Sequence, residues 1–376
     1  MDHYDFIIAG AGCAGLSLVS YLLGSSLQSS KILLIDPSNS IPNKTWCYWS
    51  ENPLAIHPAG KAHCWNSISI SSQGIQLSRS LDKLKYFHLS SQDFYTSLLD
   101  QIRKHPSIAF LKDEVTHYLP QNDQAEVVTQ SGKKMSANRV FDSIGLKTNS
   151  KSILRQIFLG WKITTNREVF HPHEVTLMDI QSISKKFEFF YILPFSTTHA
   201  LVEYTTYSTE PVDRESLQKE LETYLSQKLG LEEYEISYEE KGSIPMTTQV
   251  SPSTSSSRII PIGTAAGWIK PSTGYGFATI QENCQTLVRN LEINKSNPKK
   301  ITKSNRFDFY DNILLTIAHK WPDKLEQVFL NLFQTSSGDE VLNFLGEKTT
   351  LSEEVQLLSR LKFPIFIKSL LHYEKY

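Results

Sequence analysis

The sequence predicts an α/β chain: a Rossmann-like dinucleotide-binding domain, split by an inserted antiparallel sheet and followed by a helical C-terminal region. Three observations predict this. A glycine-rich turn near the N-terminus sits between an apolar run and a helix-like stretch. A second glycine-rich segment recurs far downstream, from residue 263. Between them lies a segment dense in aromatic and β-branched residues, which suits strands rather than repeated βα units.

Asp5-Phe6-Ile7-Ile8-Ala9 is a short apolar run with β-branched residues and reads as a buried parallel strand. Gly10-Ala11-Gly12-Cys13-Ala14-Gly15 follows, then a helix-like segment from Leu16 to Leu23. A second strand, Ile32 to Ile35, ends in Asp36. The chemistry of this order is that of a dinucleotide site. Gly10 permits a tight turn, Gly12 lets the backbone approach a pyrophosphate, and Gly15 lets helix pack against strand. The phosphates then meet the unpaired amides at the start of that helix, beside Ala14. Asp36 lies 21 residues after Gly15, where an acid accepts hydrogen bonds from a ribose hydroxyl.

Ser90 with Asp93 three residues on predicts a capping box opening a helix whose Phe94, Leu98 and Ile102 share one face. Val127-Val128 and Val140-Phe141 read as strands, and Asp142-Ser143-Ile144-Gly145 as the turn closing the nucleotide unit. The middle sheet is predicted over residues 156–207, with Phe158, Trp161, Phe187, Phe189, Phe190 and Tyr191. The helical spacing of Leu217, Leu221, Tyr224, Leu225 and Leu229 ends at Gly230. Ser251 to Ser257 reads as a loop.

Arg258 to Ile262 then begins a second nucleotide-like unit. Gly263-Thr264-Ala265-Ala266-Gly267 is a turn of small residues, Pro271-Ser272-Thr273-Gly274-Tyr275-Gly276 a further bend, and Phe277 to Leu291 a helix. The first loop alone leaves NAD and FAD open. Two distant glycine-rich segments flanking an inserted sheet favour FAD, since an NAD-binding unit is expected to be contiguous. The expected domains are residues 1–155 with 251–300 for FAD, 156–250 for substrate, and a helical region over 301–376. In that last region Leu314, Ile317, Trp321, Leu325, Val328 and Leu332 recur at helical spacing, with Pro322 interrupting. These residues and the run Phe363-Pro364-Ile365-Phe366-Ile367 suit either core packing or a face that touches a membrane.

Bulk properties narrow the function classes. The chain has 376 residues, 40% hydrophobic and 20% charged, with a formal net charge of -1. No basic field invites nucleic acid. No apolar run reaches the ~18 residues that span a bilayer, and the start lacks the pattern of a signal peptide. Cys13, Cys47, Cys64 and Cys284 form no C-x-x-C pair, so no metal site or redox dithiol is expected, and a cytoplasmic setting with reduced thiols is.

Beyond the glycine loop, the chain carries Thr45-Trp46-Cys47-Tyr48-Trp49, Gly160-Trp161 with Leu177-Met178-Asp179, Leu193-Pro194-Phe195, Leu201-Val202-Glu203-Tyr204-Thr205, Ile244-Pro245-Met246-Thr247 and Pro271-Ser272-Thr273-Gly274-Tyr275. On these segments it resembles the bacterial lycopene β-cyclases, FAD-dependent carotenoid cyclases, over most of its length. Broader flavin monooxygenases usually carry Gly-Asp at the second segment; Gly263-Thr264 departs from that, as lycopene cyclases do.

The resemblance implies a reaction without net redox change. The terminal alkenes of lycopene, a C40 polyene, are protonated, each cation closes a six-membered ring, and a proton leaves to give β-carotene by way of γ-carotene. It implies reduced FAD as the active form, NAD(P)H as the reductant, and peripheral contact with the inner membrane, because the substrate is insoluble in water. It makes Glu203 the catalytic acid/base, in an apolar pocket that would raise its pKa. The bland alternative is a strand glutamate facing solvent. Gly10, Gly12, Ala14, Gly15, Asp36, Gly263, Thr264, Gly267, Gly274 and Tyr275 are the expected FAD-binding residues. Trp46, Trp49 and Phe277 are candidates for the substrate pocket, each able to face a developing cation for ~1–2 kcal/mol when desolvated, or simply to pack the core. Glu51 and Asp179 are second-choice acids expected in solvated loops, and His57 and His63 have no assigned role. The competing readings are a flavin monooxygenase or isoprenoid reductase, which would consume NAD(P)H in proportion to product, and a flavin-free lipid carrier on the same scaffold.

Overall fold

The structure, a computed structural model, describes residues 2–38, 43–145, 153–181, 186–249, 256–293, 301, 304–361 and 364–376. Asp2–Ala9 lies at the centre of the first sheet, parallel to Ile32–Ile35 on one side and Lys134–Asp142 on the other, and Ile108–Leu111 pairs parallel beyond Ile32–Ile35. The far edge of Lys134–Asp142 is shared. Its first residues pair antiparallel with Ala125–Thr129, which pairs with Val115–Pro120, and its last three pair parallel with Ile259–Pro261. The second glycine-rich segment therefore leaves the same sheet as the first. Ile7, Ile8 and Ala9 are fully buried because helices or strands cover both faces, which is why this strand reads as an unbroken apolar run. Helices Cys13–Leu23 and Phe277–Ile293 share one core, through Leu16, Leu18, Ile280 and Leu287.

The middle sheet runs in the order Tyr234–Pro245, Arg155–Thr165, His199–Ser208, Glu188–Pro194, Glu174–Ile180, Ser67–Ser72, Ile75–Ser80. Its neighbours are antiparallel except Glu174–Ile180 with Ser67–Ser72, which are parallel. The hairpin of residues 67–80 thus covers an edge that would otherwise expose unpaired backbone. Sheet membership therefore crosses the expected boundary at residue 155. One face packs on helix Arg214–Thr223 and its one-turn continuation Tyr224–Lys228, with Trp161, Phe190 and Val202 against Leu217, Leu221 and Leu225. Gly230 follows in the left-handed conformation. The other face meets the C-terminal helices, where Phe187 stacks on Phe329 at 5.5 Å.

A third sheet, Thr45–Ser50, Lys85–Ser90 and His63–Trp65, joins the two cores. Alternation along Thr45–Ser50 sends Trp46 and Tyr48 into the nucleotide core and Trp49 towards the middle sheet. Helix Ser91–Arg103 buries Phe94, Leu98 and Ile102 as its spacing predicts, but Ser90 makes no side-chain cap. Ser90 is instead the last residue of a strand, in register with Thr45, and the Ser91 hydroxyl accepts the Lys44 N–H at 2.6 Å. Capping boxes form at Ser337/Glu340 and Thr350/Glu353. The C-terminal region is helical: Asn305–Lys320, Leu325–Thr335, Gly338–Leu345, Leu351–Ser359 and Pro364–Leu371, with Pro322 opening a short 3₁₀ turn. Most of the predicted Ser251–Ser257 loop, and Phe363, lie outside the described residues.

Candidate active site

The N-terminal loop is built as its glycines require. Gly10 has φ +94° and donates its N–H to the Ile35 carbonyl at 2.8 Å. A β-carbon on Gly15 would sit inside contact distance of the Gly10 carbonyl, so only glycine lets this helix approach the strand. A β-carbon on Gly12 would meet nothing within 4 Å, so the loop is open at the point where a pyrophosphate would rest. Gly12 is also the N-cap of the helix and makes no side-chain cap. Asp36 accepts the Ala11 N–H at 2.7 Å and the Ser38 N–H at 2.8 Å, which ties the end of the second strand to the loop. Each carboxylate oxygen keeps further lone-pair capacity for a ribose hydroxyl.

Ala14 is buried rather than turned to a ligand, and a β-carbon on Gly263 would come within 2.7 Å of the Ala14 methyl. The two glycine segments therefore touch. Gly263 and Gly267 have φ of +62° and +70° at the ends of a 3₁₀ turn, and Thr264 is exposed there. Asp142, which the sequence places only in the closing turn, organises this junction. Its carboxylate accepts the Tyr118 hydroxyl at 2.8 Å and the Ile144 and Gly145 N–H groups at 3.0 and 3.1 Å. Gly274, with φ +77°, turns the next bend so that Tyr275 enters the interior. Lys270 fastens this bend to the C-terminal helices through Asp311 at 2.9 Å and Glu347 at 3.0 Å, and Ser272 donates to Asp311 at 2.6 Å.

Glu203 lies on the middle-sheet face away from helix 214–228. Strand register places four residues in one row across that face: Glu240, Gly160, Glu203 and Tyr191. Residues directly opposite in a sheet project to the same side. Gly160, between the two glutamates in this row, contributes no side chain of its own. Glu203 is held by the Thr205 hydroxyl at 2.9 Å. Glu240, 4% exposed, accepts the Thr45 N–H at 3.0 Å and the Tyr238 hydroxyl at 3.3 Å, while its Oε1 is buried without a partner among the described residues. Burial, and then the neighbouring Glu240 charge, push the Glu203 carboxyl up to about 8. The Glu240 carboxyl is also raised by burial, against the pull of Thr45, Lys44 and Tyr238.

Tyr191 donates to Cys47 Sγ at 3.1 Å, and the Tyr86 hydroxyl joins Tyr191 at 2.9 Å and Tyr275 at 2.7 Å. Trp49 packs edge-on to Tyr275 at 4.8 Å. Glu203, Cys47, Tyr191, Trp49 and Tyr275 lie deep in the protein yet keep part of their surface accessible. Burial pushes the Cys47 thiol up to about 12, which leaves it a neutral thiol.

The structure thus gathers Glu203, Trp49, Gly274 and Tyr275 on one side. Trp46 and Phe277 turn away and stack on each other at 5.5 Å, beside Phe94, in the nucleotide core. Asp179 is not in a solvated loop. It is 4% exposed on a strand and accepts from Ser71 and Tyr224, each at 2.7 Å. Its register neighbours point it to the helix-covered face, away from Glu203. Glu51 is exposed, and His57 is buried against the Tyr48 hydroxyl at 2.7 Å. Sequence reasoning missed Glu240 and the Tyr86–Tyr191 pair. The available signal was alternation, since Tyr238, Glu240 and Gly242 fall on one face of one strand. Among the described residues no three His, Cys, Asp or Glu side chains are grouped to hold a metal.

Comparison with known proteins bears on both halves of the site. The chain is similar to solved flavoproteins at full length: a geranylgeranyl bacteriochlorophyll reductase-like protein from Thermoplasma acidophilum (16% identity, TM-score 0.60, 99% of each chain) and a flavoprotein/dehydrogenase from Cytophaga hutchinsonii (12%, 0.64, 99% of this chain and 100% of that one). The halogenase PltM, solved with phloroglucinol and FAD, matches at 12% identity and TM-score 0.60 over 98% of this chain and 86% of that one. These likenesses establish the fold, the two-dinucleotide flavoprotein type with an inserted sheet. In sequence, the chain is 24% identical over 300 residues to the chloroplastic lycopene beta cyclase of Arabidopsis thaliana, a match that covers 72% of this chain and 56% of that protein. It therefore spans little more than half the length of the curated relative. The family model described as lycopene cyclase protein matches residues 5–372, nearly the whole chain, which accordingly belongs to the lycopene cyclase family.

Proposed function

We propose that the protein is a lycopene β-cyclase that binds FAD and closes the linear ends of lycopene to β-ionone rings. The observation that carries this reading is the place of Glu203, buried on the sheet face beside Glu240, the linked Tyr86, Tyr191 and Tyr275 hydroxyls and the Trp49 ring, where burial raises its carboxyl to about 8. Such a group keeps its proton near neutral pH because burial disfavours its charged form. It is poised as a general acid.

The residues present fit FAD. The open backbone at Gly12, the close approach enforced at Gly15, the acid Asp36 and the touching segments Ala14 and Gly263 form a cradle that side chains would fill. Gly267, Thr264, Gly274 and Tyr275 would extend it. When bound and reduced, with NAD(P)H as reductant, the flavin supplies an electron-rich surface that favours a nearby cation. The protein's own part is proton transfer. The Glu203 carboxyl gives its proton to the terminal alkene, the neighbouring double bond supplies the electron pair of the new ring bond, and the proton lost from the adjacent ring carbon returns to the carboxylate. The product is an isomer of the substrate, with no net oxidation. Trp49 and Tyr275 present ring faces near the cation, and the Phe187, Phe189 and Tyr207 side of the sheet excludes water.

Membrane contact belongs to the same reading. No described helix is long and apolar enough to cross a bilayer. Helix Pro364–Leu371 nonetheless exposes Ile367, Leu370 and Leu371 at 53%, 46% and 79%. These residues are spaced along one face, which suits a peripheral enzyme that draws its substrate from the cytoplasmic side of the inner membrane.

The test is expression in a bacterial host that accumulates lycopene, followed by pigment chromatography. β-Carotene with some γ-carotene is expected. Unchanged lycopene, with the protein soluble and flavin-bearing, would reject the reading. Glu203→Gln is expected to abolish cyclisation while flavin stays bound, and full activity in that variant would remove Glu203 from the mechanism.

A further inference from the structure

We propose that Glu240 is the positioning partner of Glu203: a second, fixed carboxylate, facing it across the side-chain-free Gly160, that holds Glu203 in its acid form. The inference rests on the reading of Glu203 as the acid, and it concerns how that acid is set.

The geometry comes from register. Gly160 pairs with Glu203 on one side and with Glu240 on the other. The flanking strands are two spacings apart, about 10 Å, and the strand between them carries only a glycine at this row, over which the Glu203 side chain leans. A β-carbon there would come within 3.3 and 3.5 Å of Glu203 Cβ and Cγ, and within 3.4 Å of Leu201 Cδ1. Any larger residue would wedge between the carboxyls. Glu240 itself is too deeply set to be a surface charge, and its buried Oε1 has no partner among the described residues. A buried carboxylate so placed costs the fold stability, which points to a role other than packing.

The two carboxyls are held differently, and this assigns the proton. Glu240 receives the Thr45 N–H and the Tyr238 hydroxyl, donors that favour an ionised acceptor. Glu203, among the described residues, receives the Thr205 hydroxyl alone. One proton shared by this pair therefore resides on Glu203. Two cations oppose the effect. Lys44, bonded to the Lys241 carbonyl at 2.6 Å, favours ionisation of both acids, and Lys162, over the rings of Phe195 and Tyr238 at 4.7 and 5.8 Å, lies on the Glu240 side. The remaining groups around Glu203 are Cys47, Tyr191, Tyr86 and Tyr275, all held neutral by burial. Glu240 is thus the negative charge that acts on Glu203, and no substrate contact is required of it.

The experiment is the pH profile of cyclisation by flavin-loaded enzyme, with an infrared titration of the protonated carboxyl in the resting protein. In the wild type the alkaline limb is expected near pH 8, with an acid carbonyl band that disappears in Glu203→Gln. Glu240→Gln removes the charge at constant shape and is expected to move both limb and band down by about one pH unit, which costs about tenfold in activity above pH 8 and little below pH 6. Glu240→Asp withdraws the charge by one methylene and should fall between, which keeps the test open if the amide variant does not fold. A limb and band unmoved in both variants, or moved upward, would overturn the inference. The infrared arm needs no turnover. A protein that left lycopene unchanged but showed the graded band shift would sink the cyclase reading and leave the pair standing.

Discussion

Glu203 carries a stability signature separate from its chemistry. Its folded-state pKa is raised from 4.5 to about 8, so the folded protein holds a proton there that the unfolded chain releases. The corresponding stability is complete below about pH 4.5, falls progressively as pH rises towards 8, and is constant beyond. Glu203→Gln cannot titrate. Its melting temperature relative to wild type is therefore expected to rise between pH 5 and 8 by several degrees, since about 1 kcal/mol is worth ~2–4 °C in chains of 150–250 residues and somewhat less in a larger one. Parallel melting curves at pH 5 and 8 would show that the carboxyl is ordinary. At this scale Glu203 was singled out by the resemblance of Leu201-Val202-Glu203-Tyr204-Thr205 to the lycopene cyclases, with which its apolar neighbours Leu201 and Val202 agree. Glu240 was not, because its partner is set by two strand pairings across 37 residues of chain (240 minus 203), which alternation alone does not fix. Trp46 and Phe277 illustrate the converse. Their residue types suit a cation, yet the pleat of one strand sends Trp46 away from Glu203 and its neighbour Trp49 towards the Tyr86–Tyr275 group.

Among the elements, the glycine loop was the most legible, since each of its glycines answers a purely local constraint. The same constraints predict different defects. Gly12→Ala adds a methyl into open space at φ −76°, a conformation any residue adopts, so the apo fold should be kept. The methyl occupies the ground a pyrophosphate would approach, so flavin absorbance per protein should drop at least several-fold. Gly15→Ala drives a methyl into the Gly10 carbonyl, so helix and strand must part, which costs about 1–3 kcal/mol and loses flavin as well. A normal flavin content in Gly12→Ala, or an unchanged melting temperature in apo Gly15→Ala, would show that the loop is not used as its geometry suggests. The hairpin of residues 67–80 was least legible. It joins the middle sheet by a parallel pairing of Ser67 with Glu174, and nothing in its own Ser/Ile alternation distinguishes that partner from any other. Ser90 holds the N-cap position with the extended backbone a cap needs, but its side chain makes no bond to the helix amides.

On the scale of the whole molecule, the helical C-terminus resolves into two faces. Its inner face packs on the middle sheet: Leu325, Val328, Phe329 and Leu332 enter the same core as Phe187, Leu193 and Leu201. Both sequence readings of this region therefore have room, since core packing takes the inner face and leaves the outer face of the last helix uncovered. Ile367, Leu370 and Leu371 stand on that face at positions i, i+3 and i+4. Phe309, 39% exposed, continues the patch through its contact with Tyr373 at 5.5 Å. Lys368 is drawn over the Trp321 ring at 4.3 Å, and the formal net charge of -1 offers little long-range attraction to an anionic surface. Binding to a bilayer should then rest on apolar insertion, at ~1.5–3 kcal/mol for each fully buried side chain, and depend weakly on salt. Flavin-loaded protein is expected to sediment with vesicles of phosphatidylcholine nearly as well as with vesicles containing phosphatidylglycerol. Leu370→Glu with Leu371→Glu should release it at least tenfold, with melting temperature and flavin content unchanged because neither side chain is in the core. Release by high salt alone, or vesicle binding retained in the double variant, would move the membrane-facing surface elsewhere on the protein.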